Sequence, residues 1–369
     1  MPTFDHVFVS LYVLVVVGFF LVDFRGQFAS AFVAKLSQSR LGSLPAKEGQ
    51  AYVLSKLRTK TCRAATSMKD EMQEIPIPRH TIVFIRHGES VWNQDNIFTG
   101  WQDIDVTEAG VQEARAAGEL MQRQGLEFDV VYTSMLKRAI KSAHHVTDAM
   151  GLGWIDMHKD WKLNEQMYGR LEGLNKVDCV QEHGLEQVQK WRRSYTDPPP
   201  ARPGARGYFP EDDPKYAGLT NFDAPDSWCG TPGTESLKDT QARAWRLWRE
   251  EIAPAVKAGK RVLVCAHGNT LRAFLRRLDD IPNDLLMQLD IPRATPLVYT
   301  LDEHLNPIQS TSSMYPLSGR FIGSMEELEA KVSKERTQCI PPPEKKPQRV
   351  KTAAFPDAET AGSYMCPGF

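Results

Sequence analysis

Two short apolar runs, HTIVFI at residues 80–85 and RVLVCA at 261–266, constrain the fold of this chain more than any other feature. Each is rich in β-branched residues and apolar along its length rather than alternating. That is the pattern of a strand covered on both faces. Helical segments follow them. One runs from Thr107, a good N-cap, to Gln124, where Gly125 stops it. Residues 128–132 read as another strand, followed by a helix over about 134–150 that Gly151 closes, and residues 271–278 read as a helix after the RVLVCA strand. Strands alternating with helices predict an α/β fold, a largely parallel central sheet flanked by helices. Ligands of such sheets gather beyond the carboxyl ends of the strands.

Both runs end there in a His-Gly pair: Arg86-His87-Gly88 after the first and Ala266-His267-Gly268-Asn269 after the second. A neutral imidazole carries a lone pair near pH 7 and is a competent nucleophile toward phosphorus. A neighbouring guanidinium can grip the same phosphate through two parallel hydrogen bonds. Phosphoryl transfer asks a protein mainly for positioning and for donors around the equatorial oxygens. Arg86, His267 and Arg138 would supply them, Arg138 from the first turn of its helix, where free N–H groups also favour an anion.

These residues sit in a longer pattern. The stretch RHGESVWNQDNIFTGW at residues 86–101 resembles the signature of the bisphosphoglycerate-dependent phosphoglycerate mutases, within the histidine phosphatase superfamily. The resemblance continues through SMLKRA (134–139), NEQMYGRLEGLNK (164–176), WRRSY (191–195), TESLKDT (234–240), AHGNTLRA (266–273) and the strand PLVYTLD. It implies a phosphoglycerate mutase-like fold in which His87 holds the phosphoryl group, His267 stabilises it in transfer, and Arg86 and Arg138 bind its oxygens. Glu165 would move the proton of the substrate hydroxyl, a task for which a carboxyl of raised pKa serves best. Ser90, Asn93, Thr99, Gly100, Gly268 and Asn269 would complete the phosphate cradle. Tyr168, Lys176, Arg192 and Arg193 would hold the substrate's carboxylate and second phosphate. The implied cofactor is 2,3-bisphosphoglycerate, as primer of a phosphohistidine, with no metal.

Two departures from the family pattern stand out. After the glutamate the family has Arg-His, where this chain has Gln166-Met167. Its IPTG-like turn reads Ile291-Pro292-Arg293-Ala294, so Arg293 is expected to replace positive charge missing beside the substrate. His144 and His145 fall mid-helix and read as structural.

Outside this region the chain changes character. Between Val7 and Val22 lies a run of 16 residues interrupted only by Ser10 and Gly18, suited to a signal peptide or a short anchor and hence to membrane contact. From residue 24 to 69 there are nine Lys or Arg against one acid, Glu48, the composition of a transit peptide. Ala29-Ser30-Ala31-Phe32 resembles the signal-to-transit junction of proteins imported into complex plastids. The expected divisions are residues 1–31 as signal or anchor, 32–79 as transit-like segment and linker, 80–337 as catalytic domain and 338–369, rich in Pro and Lys, as disordered tail. Plastid import is expected, with membrane anchoring as the alternative.

A formal net charge of −1 argues against nucleic-acid binding. The six cysteines, Cys62, Cys179, Cys229, Cys265, Cys339 and Cys366, form no Cys-x-x-Cys pair and no zinc-finger spacing, so neither a disulfide framework nor a metal site is expected. Small phosphoglycerates are the expected partners, and homo-oligomerisation is left open. The expected reaction is the interconversion of 3- and 2-phosphoglycerate. The rivals are a histidine-type phosphatase acting on a small phosphorylated metabolite and a non-catalytic protein that binds a phosphorylated ligand.

Overall fold

A computed structural model describes residues 80–340. The segments expected to target or anchor the chain, and the tail beyond Ile340, lie outside the described residues. Among the described residues no helix is long and apolar enough to cross a membrane.

The elements follow in the order β1 (His80–Arg86), α1 (Val91–Gln94), α2 (Glu108–Arg123), β2 (Val130–Thr133), α3 (Lys137–Ala149) and β3 (Asp156–Lys159). Next come α4 (Lys176–His183), α5 (Leu185–Arg193), α6 (Leu237–Leu247), α7 (Ala253–Lys257), β4 (Val262–Ala266), α8 (Gly268–Leu278) and α9 (Asn283–Gln288). The order closes with β5 (Leu297–Leu301), β6 (Pro307–Ile308), β7 (Arg320–Phe321) and α10 (Met325–Arg336). The sheet runs β3-β2-β4-β1-β5-β6, with β7 also on β5. β1 to β4 are mutually parallel where they pair, whereas β5, β6 and β7 join antiparallel. The expected sheet is thus present with an antiparallel flank.

Strand period two splits the core in two. Ile82 and Phe84 of β1 and Val262 and Val264 of β4 face a layer containing Leu247, Leu271 and Phe274 from α6 and α8. Val83, Ile85, Leu263 and Cys265 face Ala114, Ala117, Ala143 and Val146 from α2 and α3. Phe84 is fully buried, and truncating such a ring costs about 3–5 kcal/mol.

Thr107 caps α2 as expected, its side chain accepting from the Gly110 N–H. A Cβ at Gly88 would collide with the Gly110 backbone, so glycine at 88 lets the end of β1 lie against α2. His144 is exposed and His145 half-buried on α3.

Residues 197–234 hold two short 3-10 turns, Pro214–Tyr216 and Asn221–Asp223, and otherwise irregular backbone. They still bury a third cluster, with Tyr208, Phe209 and Tyr216 against Trp101, Trp161 and Met167. The folded region also extends past residue 337. Gln338 and Cys339 lie in a 3-10 turn, Thr337–Cys339, and Cys339 is fully buried. Arg192 explains this: one of its amino groups donates to the Gln338 side chain and the other to the Cys339 sulfur, both at 2.9 Å.

Candidate active site

β1 and β4 pair in register through Arg86 and Ala266, so the next residue of each strand, His87 or His267, emerges at the same sheet edge. The His87 N–H donates to the Ala266 carbonyl at 3.0 Å. The two imidazoles lie 5.0 Å apart, centre to centre. Both are almost completely buried.

His87 Nδ1 is 2.7 Å from the carbonyl oxygen of Gly88. A carbonyl only accepts, so Nδ1 carries the proton and the Nε2 lone pair is left free. Burial, then the Arg138 and Arg86 guanidinium groups, push the His87 pKa well below the ordinary histidine value, so the ring is neutral near pH 7. Burial and Arg138 do the same to His267, whose Nε2 lies 2.8 Å from the Ser134 hydroxyl.

A cleft of about 640 Å³ opens beside them. Of the residues expected in the site, Arg86, His87, Asn93, Thr99, Gly100, Arg138, Glu165, Tyr168, Lys176, Arg192, Arg193, Gly268 and Asn269 line it. His267 adjoins it through His87. Ser90 does not line it. Its hydroxyl accepts from the Asn93 N–H while the Asn93 side chain accepts from the Ser90 N–H, a capping box that starts α1. The hydroxyl expected at the ligand therefore shapes the turn that presents Asn93.

Arg138, in the first turn of α3, donates to the carbonyls of Gly100 and Gln102, both at 2.8 Å. Burial lowers it to about 10, partly offset by Glu165, so it stays charged at neutral pH. Gly100 has a positive φ of 52°, and a Cβ there would strike the Glu172 carboxylate. Glu172 in turn accepts from the N–H groups of Trp101 and Tyr168, each at 3.1 Å.

Glu165 Oε1 accepts from the backbone N–H of Gln166 at 2.8 Å and of Asn269 at 3.1 Å. The second contact places it against the first turn of α8, which suits an anion. Its backbone carbonyl is held by Arg243 at 2.9 Å and by the Trp101 indole at 2.6 Å. Arg243 also binds the carbonyls of Lys162 and Asn164 and forms a fully buried pair with Glu235.

The cationic end of the cleft comes from α4 and α5. Burial lowers Lys176 to about 7, and Arg192 adds to the shift. Arg193 pairs with Asp290 at 2.6 Å and donates to the Leu289 carbonyl at 3.1 Å.

The two departures settle differently. Gln166 is buried, donating to the Glu235 carbonyl and accepting from Asn269, and Met167 packs in the aromatic cluster. Arg293 does not line the cleft. It pairs with Glu89 and Glu335, each at 3.2 Å, so its charge answers the chain's own carboxylates and does not replace substrate contacts.

Arg272, Asp290, Glu335 and Gln338 line the cleft without having been expected there. Arg272 lies three residues after Asn269 on α8 and donates to its side chain and to the carbonyls of Arg192 and Arg193. Its i, i+3 spacing was the available signal. Glu335 and Gln338 come from the far end of the chain and carried none.

The chain is similar to several solved structures. Bacillus stearothermophilus YhfR is 22% identical, over 67% of this chain and 96% of that one, with a TM-score of 0.45. A mycobacterial glucosyl-3-phosphoglycerate phosphatase is 20% identical over 66% and 97%, with a TM-score of 0.47. The alpha-ribazole phosphatase of Shigella flexneri is 19% identical over 66% and 98%, with a TM-score of 0.45. At such identity no shared substrate follows. The family model for the histidine phosphatase superfamily, branch 1, matches residues 82–208 and 209–311, consecutive stretches that run from β1 to the loop after β6 and take in both histidines. The chain belongs to the histidine phosphatase superfamily, branch 1.

Proposed function

We propose that the chain interconverts 3-phosphoglycerate and 2-phosphoglycerate by ping-pong transfer through phospho-His87, with 2,3-bisphosphoglycerate as primer. The observation that carries this reading is that Lys176, Arg192 and Arg193 line the same cleft as His87. A phosphatase needs only the phosphate cradle and a path for water. A mutase must also retain a doubly phosphorylated intermediate while it turns over, which calls for cations beyond the reactive phosphate.

In this scheme the free Nε2 of His87 attacks phosphorus as the bond to the leaving oxygen breaks. Arg86, Arg138 and His267 stabilise the transferring group. Glu165 delivers a proton to the leaving oxygen and takes one from the hydroxyl that attacks phospho-His87 in return.

A second reading, a phosphatase on a small phosphorylated acid, is favoured by one observation. Arg192 and Arg193 already donate to acceptors of the chain itself. Cations so engaged hold a departing bisphosphate less well.

The test follows 2-phosphoglycerate and free phosphate together, from 3-phosphoglycerate with a trace of 2,3-bisphosphoglycerate, the purified chain and a chelator. Rapid isomerisation with little phosphate release supports the mutase. Phosphate release without isomerisation makes the chain a phosphatase. Neither activity, with no label on His87, leaves a binding protein.

A further inference from the structure

The C-terminal end of α10 brings a carboxylate into a cleft that is lined mostly by cations, Arg86, Arg138, Lys176, Arg192, Arg193 and Arg272. Glu335 lines the cleft and is more than nine-tenths buried. Its Oε1 lies 3.3 Å from one amino nitrogen of Arg86 and 3.2 Å from one of Arg293. Burial opposes its charge, yet Arg86, Arg293 and Lys176 together hold its pKa down at about 2, so it is ionised at any working pH. The following turn is fixed at two points, where the Gln338 carbonyl accepts from the Asn96 amide at 2.7 Å and its side chain accepts from Arg192.

Arg86 is only partly used by this contact. The amino group that meets Glu335 also donates to the Ile291 carbonyl at 3.0 Å, while its Nε is buried without a partner. One side of the guanidinium is therefore engaged by the chain, and another donor is left over beside Gly268, next to the histidines.

We propose that Glu335 determines specificity by limiting the negative charge the cleft accepts, its carboxylate standing on Arg86 as an internal anion that opposes a ligand's second phosphate. This rests on the reading that the cleft takes phosphorylated acids. A single phosphate can be held beside the histidines by the Arg86 and Arg138 guanidinium groups, which line the cleft with Glu335 in place. A second phosphate must approach Lys176 and Arg192, and there it meets a fixed negative charge at low effective dielectric. Glu335 therefore weakens the hold of these cations on a bisphosphorylated acid more than on a monophosphorylated one.

The experiment is calorimetric binding of 2,3-bisphosphoglycerate and of inorganic phosphate to the full chain carrying His87→Asn, which cannot be phosphorylated, with and without Glu335→Gln. The amide keeps the shape and an acceptor for Arg86 while removing the charge. One buried unit charge a few ångströms from the ligand changes affinity on the order of tenfold. The proposal expects Glu335→Gln to bind the bisphosphate about tenfold tighter and inorganic phosphate no more than about threefold tighter. Glu329→Gln, on the exposed surface of the same helix, should change neither. Equal tightening of both ligands would overturn the discrimination, and unchanged or weaker binding of the bisphosphate would show that Glu335 merely positions Arg86. Glu335→Ala gives a second variant if the glutamine form fails to fold. Binding is read without turnover, so a chain that never labels His87 sinks the catalytic reading and leaves this test intact.

Discussion

The ring of His87 is oriented by the carbonyl of Gly88, which receives its Nδ1 proton at 2.7 Å. Only Nε2 then has a lone pair to offer. Phosphoenzyme formed from 2,3-bisphosphoglycerate should carry phosphorus on Nε2, an assignment that phosphorus NMR of the denatured phosphoenzyme makes directly. Phosphorus on Nδ1 would mean that the Gly88 contact breaks before reaction. His87→Ala should lose both the label and turnover, and a variant still labelled at another residue would remove His87 from the mechanism.

Lys176 gives the cleft a pH response. Its charged form attracts an anion, and burial, with Arg192 nearby, lowers its pKa to about 7. The cationic fraction therefore falls as pH rises through neutrality. Sulfate is a suitable probe because it stays dianionic throughout. Its affinity should drop about tenfold between pH 6 and pH 8 if binding follows the lysine's charge. Lys176→Met should bind sulfate weakly with a flat profile. An equally steep profile in that variant would assign the titration to another group.

Arg243 joins the stability of the domain to the position of Glu165. It is fully buried, paired with Glu235, and donates to the carbonyls of Lys162, Asn164 and Glu165. Arg243→Met leaves a buried carboxylate without its counter-ion and should cost about 3–5 kcal/mol in urea unfolding. Adding Glu235→Gln should recover part of that loss, since the stranded charge is gone. A single substitution costing under about 1 kcal/mol would show that the pair contributes no more than an exposed one.

Much of this site could be read from the chain because its key groups sit where the sequence announces them. Arg86, His87 and His267 follow apolar runs that could only be buried strands, and Arg138 falls in the first turn of a helix. The strand order was not legible. β4 lies between β1 and β2 although it follows them by more than a hundred residues, and only packing decides that. The acceptors that engage the cations were equally hidden. Glu335 lies 249 residues from Arg86 and belongs to a helix whose apolar face is slight, so local pattern gave no reason to bring it there. Tyr208, Phe209 and Tyr216 stand in the irregular backbone of residues 197–234, where no helix or strand period marks a core position, so nothing local announced the aromatic cluster.

Arg138 offers the sharpest separation of charge from geometry. Its guanidinium bridges the carbonyls of Gly100 and Gln102 while its charge bears on His87. Lysine keeps the charge but has one compact head that cannot span both carbonyls in a fixed plane. With the loop at Gly100 freed, Arg138→Lys should lower kcat by about 10²–10³-fold, the usual loss on removing one preorganised donor from a transition state. Arg138→Ala should lose more, because the charge goes too. Rates within about threefold of the parent for the lysine variant would mean that charge alone suffices and that the carbonyl bridge is structural. The discriminating measurement is kcat beside KM. Loss of orientation falls on kcat, whereas loss of simple attraction for the substrate falls on KM.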